Sequence, residues 1–177
     1  DAWGISKEKM QEAFHTFKSV KRRVEIRGVE RGIMVIDDFA HHPTAVEETL
    51  KALRTKYAGH RLIAVFEPRT WSSRLAIFQD PYSKAFAYAD YVIIAGVYNT
   101  SKASELGKVL DVDELVADIA ARGKVSMSFP DADSIVEHLV PDLREGDVVA
   151  IMSNGGFCGI HDKVLDRPRS GPQSTPP

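Results

Sequence analysis

The chain has 177 residues, a length that suits one domain or one domain with an appendage. Its net charge is −2, from 23 basic and 25 acidic residues mixed along the chain, which argues against nucleic acid or a membrane as a partner. No apolar run approaches the ~20 residues of a membrane-spanning helix, and the start lacks a signal-peptide core. The one cysteine, Cys158, excludes an internal disulfide and fits the cytoplasm, where we expect this protein.

The first predicted elements are a helix and a hairpin. Residues 6–19 have the apolar spacing of an amphipathic helix. Strands are predicted over 22–28 and 32–39, joined by a tight turn around Val29–Glu30. The second strand is almost wholly apolar, which is typical of a strand buried on both faces.

Strands and helices then alternate to the end of the chain. Pro43 suits the first position of a helix whose apolar stripe runs to Tyr57. A longer helix is predicted over 73–89, with Ile77 and Phe86 pointing inward. The other predicted elements are strands over 61–67, 90–96 and 124–129, a strand and turn over 147–157, and helices over 112–123, 131–143 and 158–166.

This alternation predicts an α/β fold, a Rossmann-like, doubly wound and mostly parallel sheet of about six strands. The hairpin adds one antiparallel edge strand. Ligands of such sheets bind beyond the carboxyl ends of the strands. Three polar loops, 37–42, 67–74 and 153–157, follow strand ends, so we expect them to converge on one rim.

The loop "DDFAHH" could form a metal site or part of a larger site. His41, His42 and a carboxylate such as Asp38 could hold zinc. However, neighbouring histidine side chains diverge, and no third ligand pattern such as HExxH or CxxC is present. We therefore expect no metal here.

A helix N-terminus explains part of the same loop. His42 would cap the helix, Pro43 would begin it, and Glu47 and Glu48 would complement its dipole. This interpretation leaves Asp38 and His41 without a role. Since a helix N-terminus beside a strand end can bind anions, and carboxylates accept hydrogen bonds from sugar hydroxyls, a nucleotide site is also reasonable.

The loop "EPRTWSSR" carries two arginines and three hydroxyl residues directly after a buried strand. An ordinary solvated loop is one interpretation. The other is capture of a carboxylate, because arginine binds carboxylates through two parallel hydrogen bonds. Composition alone leaves both open.

The segment "MSNGGFCGIHDKV" has the order strand, glycine-rich turn, helix. It lacks both the GxGxxG fingerprint and a Walker lysine. Its glycines would allow backbone N–H groups to approach an anion closely. We expect Cys158 to be a packed thiol rather than a nucleophile, since the sequence fixes no partner base.

Four segments together resemble the C-terminal domain of the Mur ligase family. They are "RRVEI", "DDFAHHPTAVEETL", "FEPRTWSSR" and "SNGGF…GIHDK", and the similarity runs over roughly residues 20–166. Within the family, Glu67-Pro68-Arg69 and the last segment resemble the murein peptide ligases. The alternative is the branch of UDP-N-acetylmuramate–L-alanine ligases, which tend to have Gln-Pro-His there, and Tyr-Gly in place of Phe39-Ala40.

The resemblance implies a reaction. Mur ligases have an N-terminal UDP-sugar domain, a central P-loop ATPase domain and a Rossmann-like third domain. ATP, with Mg, phosphorylates the carboxylate of UDP-N-acetylmuramate, and the amine of a recovered murein tripeptide then attacks the acyl phosphate, releasing ADP and phosphate. The implied role is peptidoglycan recycling.

The resemblance also implies domain boundaries. Residues 1–21 would be the end of the central domain, 22–166 the C-terminal domain, and 167–177 a poorly ordered tail. The start lacks an initiator Met, which we interpret as a cut inside a longer protein. Because the Gly-x-x-Gly-Lys-Thr loop is missing, we expect this fragment to be inactive alone and to hold no cofactor tightly. Its partners would be the N-terminal and central domains of the same chain.

Residue roles follow from matches to the family motifs. Arg23 resembles the arginine that reaches the ATP phosphates, and Asp38 the acid near the ribose and the reaction centre. His41 and His42 are assigned to the same nucleotide side. The residues expected to bind the incoming peptide are Arg69, Thr70, Ser73, Arg74, Ser153, Asn154, Gly155 and Phe157.

Three other classes of protein remain open at this stage. The fold would suit a stand-alone nucleotide-binding module, although GxGxxG is absent. A metal-dependent hydrolase would use His41 and His42. A purely structural partner domain would lack the convergent polar rim.

Overall fold

The structure is a computed structural model that describes residues 4–16, 20–99 and 107–166. The described strands are β1 (Glu25–Glu30), β2 (Ile33–Asp38), β3 (Leu62–Phe66), β4 (Tyr91–Ala95), β5 (Val125–Phe129) and β6 (Val148–Met152). The described α-helices are α1 (Lys7–Thr16), α2 (Pro43–Lys56), α3 (Gln79–Ala85), α4 (Val112–Ala121), α5 (Ala132–Asp142) and α6 (Ile160–Asp166). Short 3-10 helices cover Ala76–Phe78 and Phe157–Gly159.

The strands form one six-stranded sheet in the order β1-β2-β6-β3-β4-β5. The β1 strand pairs antiparallel with β2, and every other pair in the sheet is parallel. The predicted α/β fold with an antiparallel edge strand is therefore confirmed. Because β6 lies between β2 and β3, the loops that follow these three strands are neighbours.

Two apolar clusters, one on each face of the sheet, hold the helices against it. Strands β3, β4 and β6 are buried along their whole length, as their apolar runs predict. One cluster contains Phe66, Tyr82 and Phe86, and the other contains Val35 and Ile151. Burying each such side chain contributes about 1.5–3 kcal/mol, so the sheet is a rigid platform for its loops.

The position of the hairpin turn differs from the prediction. The turn lies at Arg31–Gly32, whose φ values are +53° and +72°, and Val29–Glu30 is still in β1. Positive φ at both turn residues matches the twist of the flanking strands. The prediction ended the first strand at Gly28. In the structure Gly28 lies inside β1, next to a shift in the pairing with β2, and the strand continues to Glu30.

The prediction of a continuous helix over 73–89 is also wrong. Leu75 is extended, with φ −95° and ψ 140°, and forms an isolated bridge to Val109. A 3-10 turn then precedes α3, which changes the angular spacing of the side chains. As a result Ile77 is 75% exposed, whereas Phe86 is buried as predicted.

The helix ends follow the sequence signals more closely. Helix α5 ends at Asp142, directly after Pro141, and Gly123 adopts φ +81° just beyond α4. The first turn of α2 contains no acidic residue, so the expected dipole role of Glu47 and Glu48 is wrong. The predicted tail at 167–177 lies outside the described residues, within which no helix is long and apolar enough to cross a membrane.

Candidate functional site at the carboxyl ends of the strands

Backbone hydrogen bonds join the three polar loops at the carboxyl ends of β2, β6 and β3. The Ser153 amide donates to the Asp38 carbonyl at 3.1 Å. The Glu67 amide donates to the Met152 carbonyl at 3.1 Å. The expected convergence on one rim is thus present, with the β6 loop in the middle.

Asp38 is buried and its carboxylate accepts three hydrogen bonds. One oxygen accepts the Val24 amide at 2.8 Å. The other accepts the Ala40 amide at 2.8 Å and the Thr49 hydroxyl at 3.2 Å. Asp38 therefore fastens the segment before β1 and the start of the following loop to α2.

The two histidines have different environments. The His41 Nδ1 lies 2.9 Å from the Phe39 carbonyl oxygen, and the buried Tyr82 hydroxyl donates to the His41 carbonyl. Burial raises the pKa of Tyr82, so its hydroxyl stays a donor. His42 occupies the N-cap position of α2, but its exposed ring packs on Phe78 and makes no capping hydrogen bond.

A metal site is not formed by these side chains. The described parts of the chain contain no group of three or more His, Cys, Asp or Glu residues placed to hold a metal ion. Arg23, expected to face the nucleotide, is exposed on the segment before β1. Its guanidinium carbon lies 5.7 Å from the centre of the Phe39 ring.

A pocket of about 400 Å³ opens among the loops that follow β3, β4 and β6. The guanidinium carbon of Arg69 lies 3.9 Å from the centre of the Tyr98 ring, and its Nη1 lies 3.3 Å from a Glu67 oxygen. Among the described residues this guanidinium has one hydrogen-bond partner, which leaves further N–H donors for a planar anion. The pocket is lined by Arg69, Thr70, Trp71, Arg74, Tyr98, Asn99 and Asn154.

Glu67 forms a hydrogen bond with Arg69, and the sequence analysis assigned it no role in the site. Its side chain is buried, and one oxygen accepts the Ser153 hydroxyl at 2.5 Å. The Ser153 Oγ also accepts the Gly155 amide at 2.9 Å. Since a Cβ on Gly155 would lie 2.3 Å from the Arg69 Nε, any larger residue at this position would displace the Arg69 side chain.

Three predicted peptide-binding residues, Thr70, Ser73 and Arg74, form hydrogen bonds within their own loop or to the loop after β4. The Thr70 hydroxyl accepts the Ser73 amide at 3.1 Å and donates to the Ser73 hydroxyl at 2.7 Å. Arg74 is buried and donates to the carbonyls of Thr70, Tyr98 and Asn99. These hydrogen bonds of Ser73 and Arg74 hold the loop around Arg69 in its conformation.

The glycine-rich turn contributes an amide and an aromatic ring. The Asn154 Oδ1 is buried and has no hydrogen-bond partner among the described residues. Phe157 is buried and lines a second cavity of about 260 Å³ together with Glu67 and Tyr98. The expectation of a packed thiol at Cys158 is wrong, because its left-handed backbone, with φ +51°, holds the side chain in an exposed position.

A buried ionic cluster lies beside this turn. Asp37 is 3% exposed and faces Arg22 at 3.4 Å, Arg27 at 4.0 Å and the His161 Nε2 at 3.4 Å. Within the described chain the His161 Nε2 makes no hydrogen bond. Burial lowers the pKa of His161, opposed in part by the Asp37 charge and reinforced by the two arginines.

The sequence missed three residues of the rim. Arg22 contacts the glycine-rich turn, and only its adjacency to Arg23 in "RR" could have drawn attention to it. Glu67 was visible as a charged residue that ends a buried strand. No sequence pattern marks Tyr98 as a site residue, because its contact with Arg69 joins two different loops.

A polar rim at the carboxyl ends of parallel strands defines an α/β ligand-binding domain. The family described as "Mur ligase, glutamate ligase domain" matches residues 22–155. The chain therefore belongs to the Mur ligase family.

Similar proteins fall in two branches of this family. The chain is 37% identical over 163 residues to a UDP-N-acetylmuramate–L-alanine ligase of Caldanaerobacter subterraneus, covering 92% of this chain and 35% of that protein. It is also 37% identical over 165 residues to the UDP-N-acetylmuramate–L-alanyl-γ-D-glutamyl-meso-2,6-diaminoheptandioate ligase of Escherichia coli, covering 92% and 34%. This chain thus spans about a third of the length of these relatives.

A solved structure shows the same fold. The murein peptide ligase of Psychrobacter arcticus superposes with a TM-score of 0.71 at 32% identity, covering 92% of this chain and 33% of that one. A domain of a related ligase from Haemophilus ducreyi superposes with a TM-score of 0.63 at 36% identity, covering 81% of this chain and 97% of that one.

Proposed function

We propose that this chain is the C-terminal domain of an ATP-dependent ligase that joins L-alanyl-γ-D-glutamyl-meso-diaminopimelate to UDP-N-acetylmuramate during peptidoglycan recycling. The observation that carries the proposal is the pocket around Arg69. A guanidinium with an open edge beside hydroxyl and amide groups suits a peptide carboxylate. The similarity to peptide ligases over more than nine tenths of the chain supports the same assignment.

The second candidate is a UDP-N-acetylmuramate–L-alanine ligase. It is favoured by a relative of that name with the same 37% identity. Against it stands the pair of Glu67 and the pocket residue Arg69, at positions where that branch tends to have glutamine and histidine.

The proposed chemistry needs alignment of an amine with an acyl phosphate. ATP, with Mg, transfers its terminal phosphoryl group to the carboxylate of UDP-N-acetylmuramate. The peptide amine then attacks the acyl carbon, a C–N bond forms, and phosphate leaves with the former carboxylate oxygen. The Arg69 pocket would fix the peptide for this attack, and proximity of this kind can account for ~7–11 kcal/mol of a barrier.

Asp38 and Arg23 would serve the nucleotide side. Arg23 is exposed next to the first residue of the matched family domain, where its charge could face phosphates held on another domain. Asp38 holds the adjacent Val24 amide and so orients this segment. We propose that His41 and His42 border the same nucleotide, and that the reaction takes place in the cytoplasm, where ATP is available.

The proposal is tested with the full-length gene product, ATP, UDP-N-acetylmuramate and either the tripeptide or L-alanine. We expect ADP release to depend on the tripeptide, with a kcat/KM at least tenfold above that for L-alanine. A preference for L-alanine would establish the second candidate instead. The 177-residue chain alone should release no ADP, because its sequence contains no P-loop.

The role of Arg23 is tested in the same assay. We expect Arg23→Ala to lower kcat about 100-fold or more, the range for loss of one charge that stabilises a transition state. Arg144→Ala is the matched control, because the Arg144 side chain is 73% exposed at the opposite end of the sheet. A decrease below twofold for Arg23→Ala would remove this residue from the phosphate site.

A further inference from the structure

Arg22 is the first residue of the matched family domain, and its backbone is fixed to the end of β2. Arg22 and Val24 both have left-handed φ, +58° and +51°, so the chain bends sharply before β1. The Phe39 amide donates to the Arg22 carbonyl at 2.8 Å, and the Arg22 amide donates to Glu25 at 2.7 Å. The Val24 amide donates to Asp38 at 2.8 Å, so the bend has a defined geometry.

The Arg22 side chain crosses from this bend to the glycine-rich turn after β6. Its Nη2 donates to the carbonyls of Ser153 at 2.5 Å and Gly155 at 2.8 Å, and its Nη1 lies 3.5 Å from the Asn154 carbonyl. One guanidinium therefore holds three consecutive carbonyls. Its Nε faces the buried Asp37 at 3.4 Å, which fixes the orientation of the planar group.

The turn held by Arg22 is one wall of the Arg69 pocket. The Gly155 backbone packs directly on the Arg69 side chain, which a Cβ at this position would displace. Asn154 lines the pocket, and the Ser153 hydroxyl donates to Glu67, which in turn faces Arg69. A displacement of the turn would therefore move both the wall of the pocket and the support of Arg69.

We propose that Arg22 is a positioning residue that clamps the Ser153–Gly155 turn against Arg69 and ties the geometry of the peptide pocket to the bend at the start of the domain. The kinetic part of this inference rests on the proposed function, whereas the clamp itself does not. Arg22 contacts neither substrate nor the reacting atoms in this scheme. A change in the backbone at residues 22–24 would therefore release the turn.

The clamp is tested on the 177-residue chain by hydrogen–deuterium exchange of residues 153–158. We expect Arg22→Ala to speed exchange there about tenfold, since charge-assisted hydrogen bonds to the turn are lost. Arg27→Ala is the matched control, because it removes the other guanidinium that faces Asp37 and contacts no carbonyl of the turn. It should leave exchange within twofold of the parent chain.

Arg22→Lys separates charge from geometry and decides the question if Arg22→Ala fails to fold in a thermal melt. Lysine keeps the charge beside Asp37 but cannot bridge three carbonyls with one planar group. We expect exchange at 153–158 to be faster than in the parent. Parent-like exchange in Arg22→Lys, or in a folded Arg22→Ala, would overturn the clamp.

The link to the pocket is tested in the full-length protein. Arg22→Ala, or Arg22→Lys if alanine does not fold, should raise the KM for tripeptide about tenfold while the KM for ATP changes less than twofold. Faster exchange with an unchanged tripeptide KM would overturn the link between clamp and pocket. If the parent enzyme ligates no peptide at all, the proposed function fails, and the exchange data still decide whether Arg22 clamps the turn.

Discussion

Two arginines at opposite ends of the sheet have nearly equal exposure and different surroundings. The side chains of Arg61 and Arg69 are 27% and 29% exposed. Arg61 binds Asp147 through two parallel hydrogen bonds of 3.0 and 2.6 Å, and Asp142 through its carboxylate and carbonyl at 2.9 and 2.8 Å. Among the described residues, the Arg69 guanidinium has a single hydrogen bond, of 3.3 Å, to Glu67.

This difference separates a structural arginine from a candidate binding arginine. At the amino ends of the strands, each of the three Arg61 guanidinium nitrogens donates to an acceptor of the protein itself. At the carboxyl ends, the Arg69 fork is held by a ring face and one carboxylate, and the remaining edge faces a pocket. Exposure alone would not distinguish the two, whereas the count of satisfied donors does.

The largest effect that sharpens this comparison is on stability. Arg61→Ala should lower the free energy of unfolding by about 3 kcal/mol, because the buried Asp147 carboxylate would lose its charged partner. Urea denaturation of the 177-residue chain measures this change. Arg144→Ala, which removes an exposed arginine 3.7 Å from Asp142, is the control and should change the value by less than ~0.5 kcal/mol. Equal effects of the two variants would contradict the structural role of Arg61.

The next effect is on binding. Arg69→Ala in the full-length protein should raise the KM for tripeptide about 10- to 100-fold, the range for a lost hydrogen-bonded charge, with the KM for ATP little altered. For Arg69→Lys, the KM for tripeptide should lie between the values of the parent and of Arg69→Ala, since lysine keeps the charge but lacks the planar guanidinium. An increase in the KM for ATP instead would move Arg69 to the nucleotide side of the site.

The smallest effect concerns pH and the buried His161 beside the rim. Because burial lowers the pKa of His161 in the folded chain, the unfolded chain binds the proton more readily below its ordinary pKa of about 6.5. Stability is therefore fully present above that pH and falls as the pH drops toward the lowered folded value, by at most ~1.4 kcal/mol per pH unit.

His161→Gln provides the measurement. The free energy of unfolding between pH 7 and pH 5 should fall less steeply in this variant than in the parent chain, since one titrating group has been removed. Urea midpoints at several pH values give both slopes. Identical slopes would show that His161 does not carry the pH dependence.

The sequence by itself determined the fold and the loops that carry the site. Apolar strands alternating with amphipathic helices allow few arrangements other than a parallel sheet with covered faces, so the rim could be located before any coordinates. The motif around Asp38 was specific enough to indicate the family, which the match over residues 22–155 confirms. Local signals such as Pro43 and Gly123 placed helix ends correctly, because capping depends on nearby residues.

Only the tertiary structure decided which polar groups form hydrogen bonds within the protein and which have donors or acceptors left to face a pocket. Arg69 and Arg74 look alike in "EPRTWSSR", yet Arg74 is buried against three carbonyls. The contacts of Arg22 with residues more than 130 positions away could not be predicted, because they depend on β6 lying beside β2. Hydrogen-bond satisfaction is set by neighbours in space, and spacing along the chain carries little of that information.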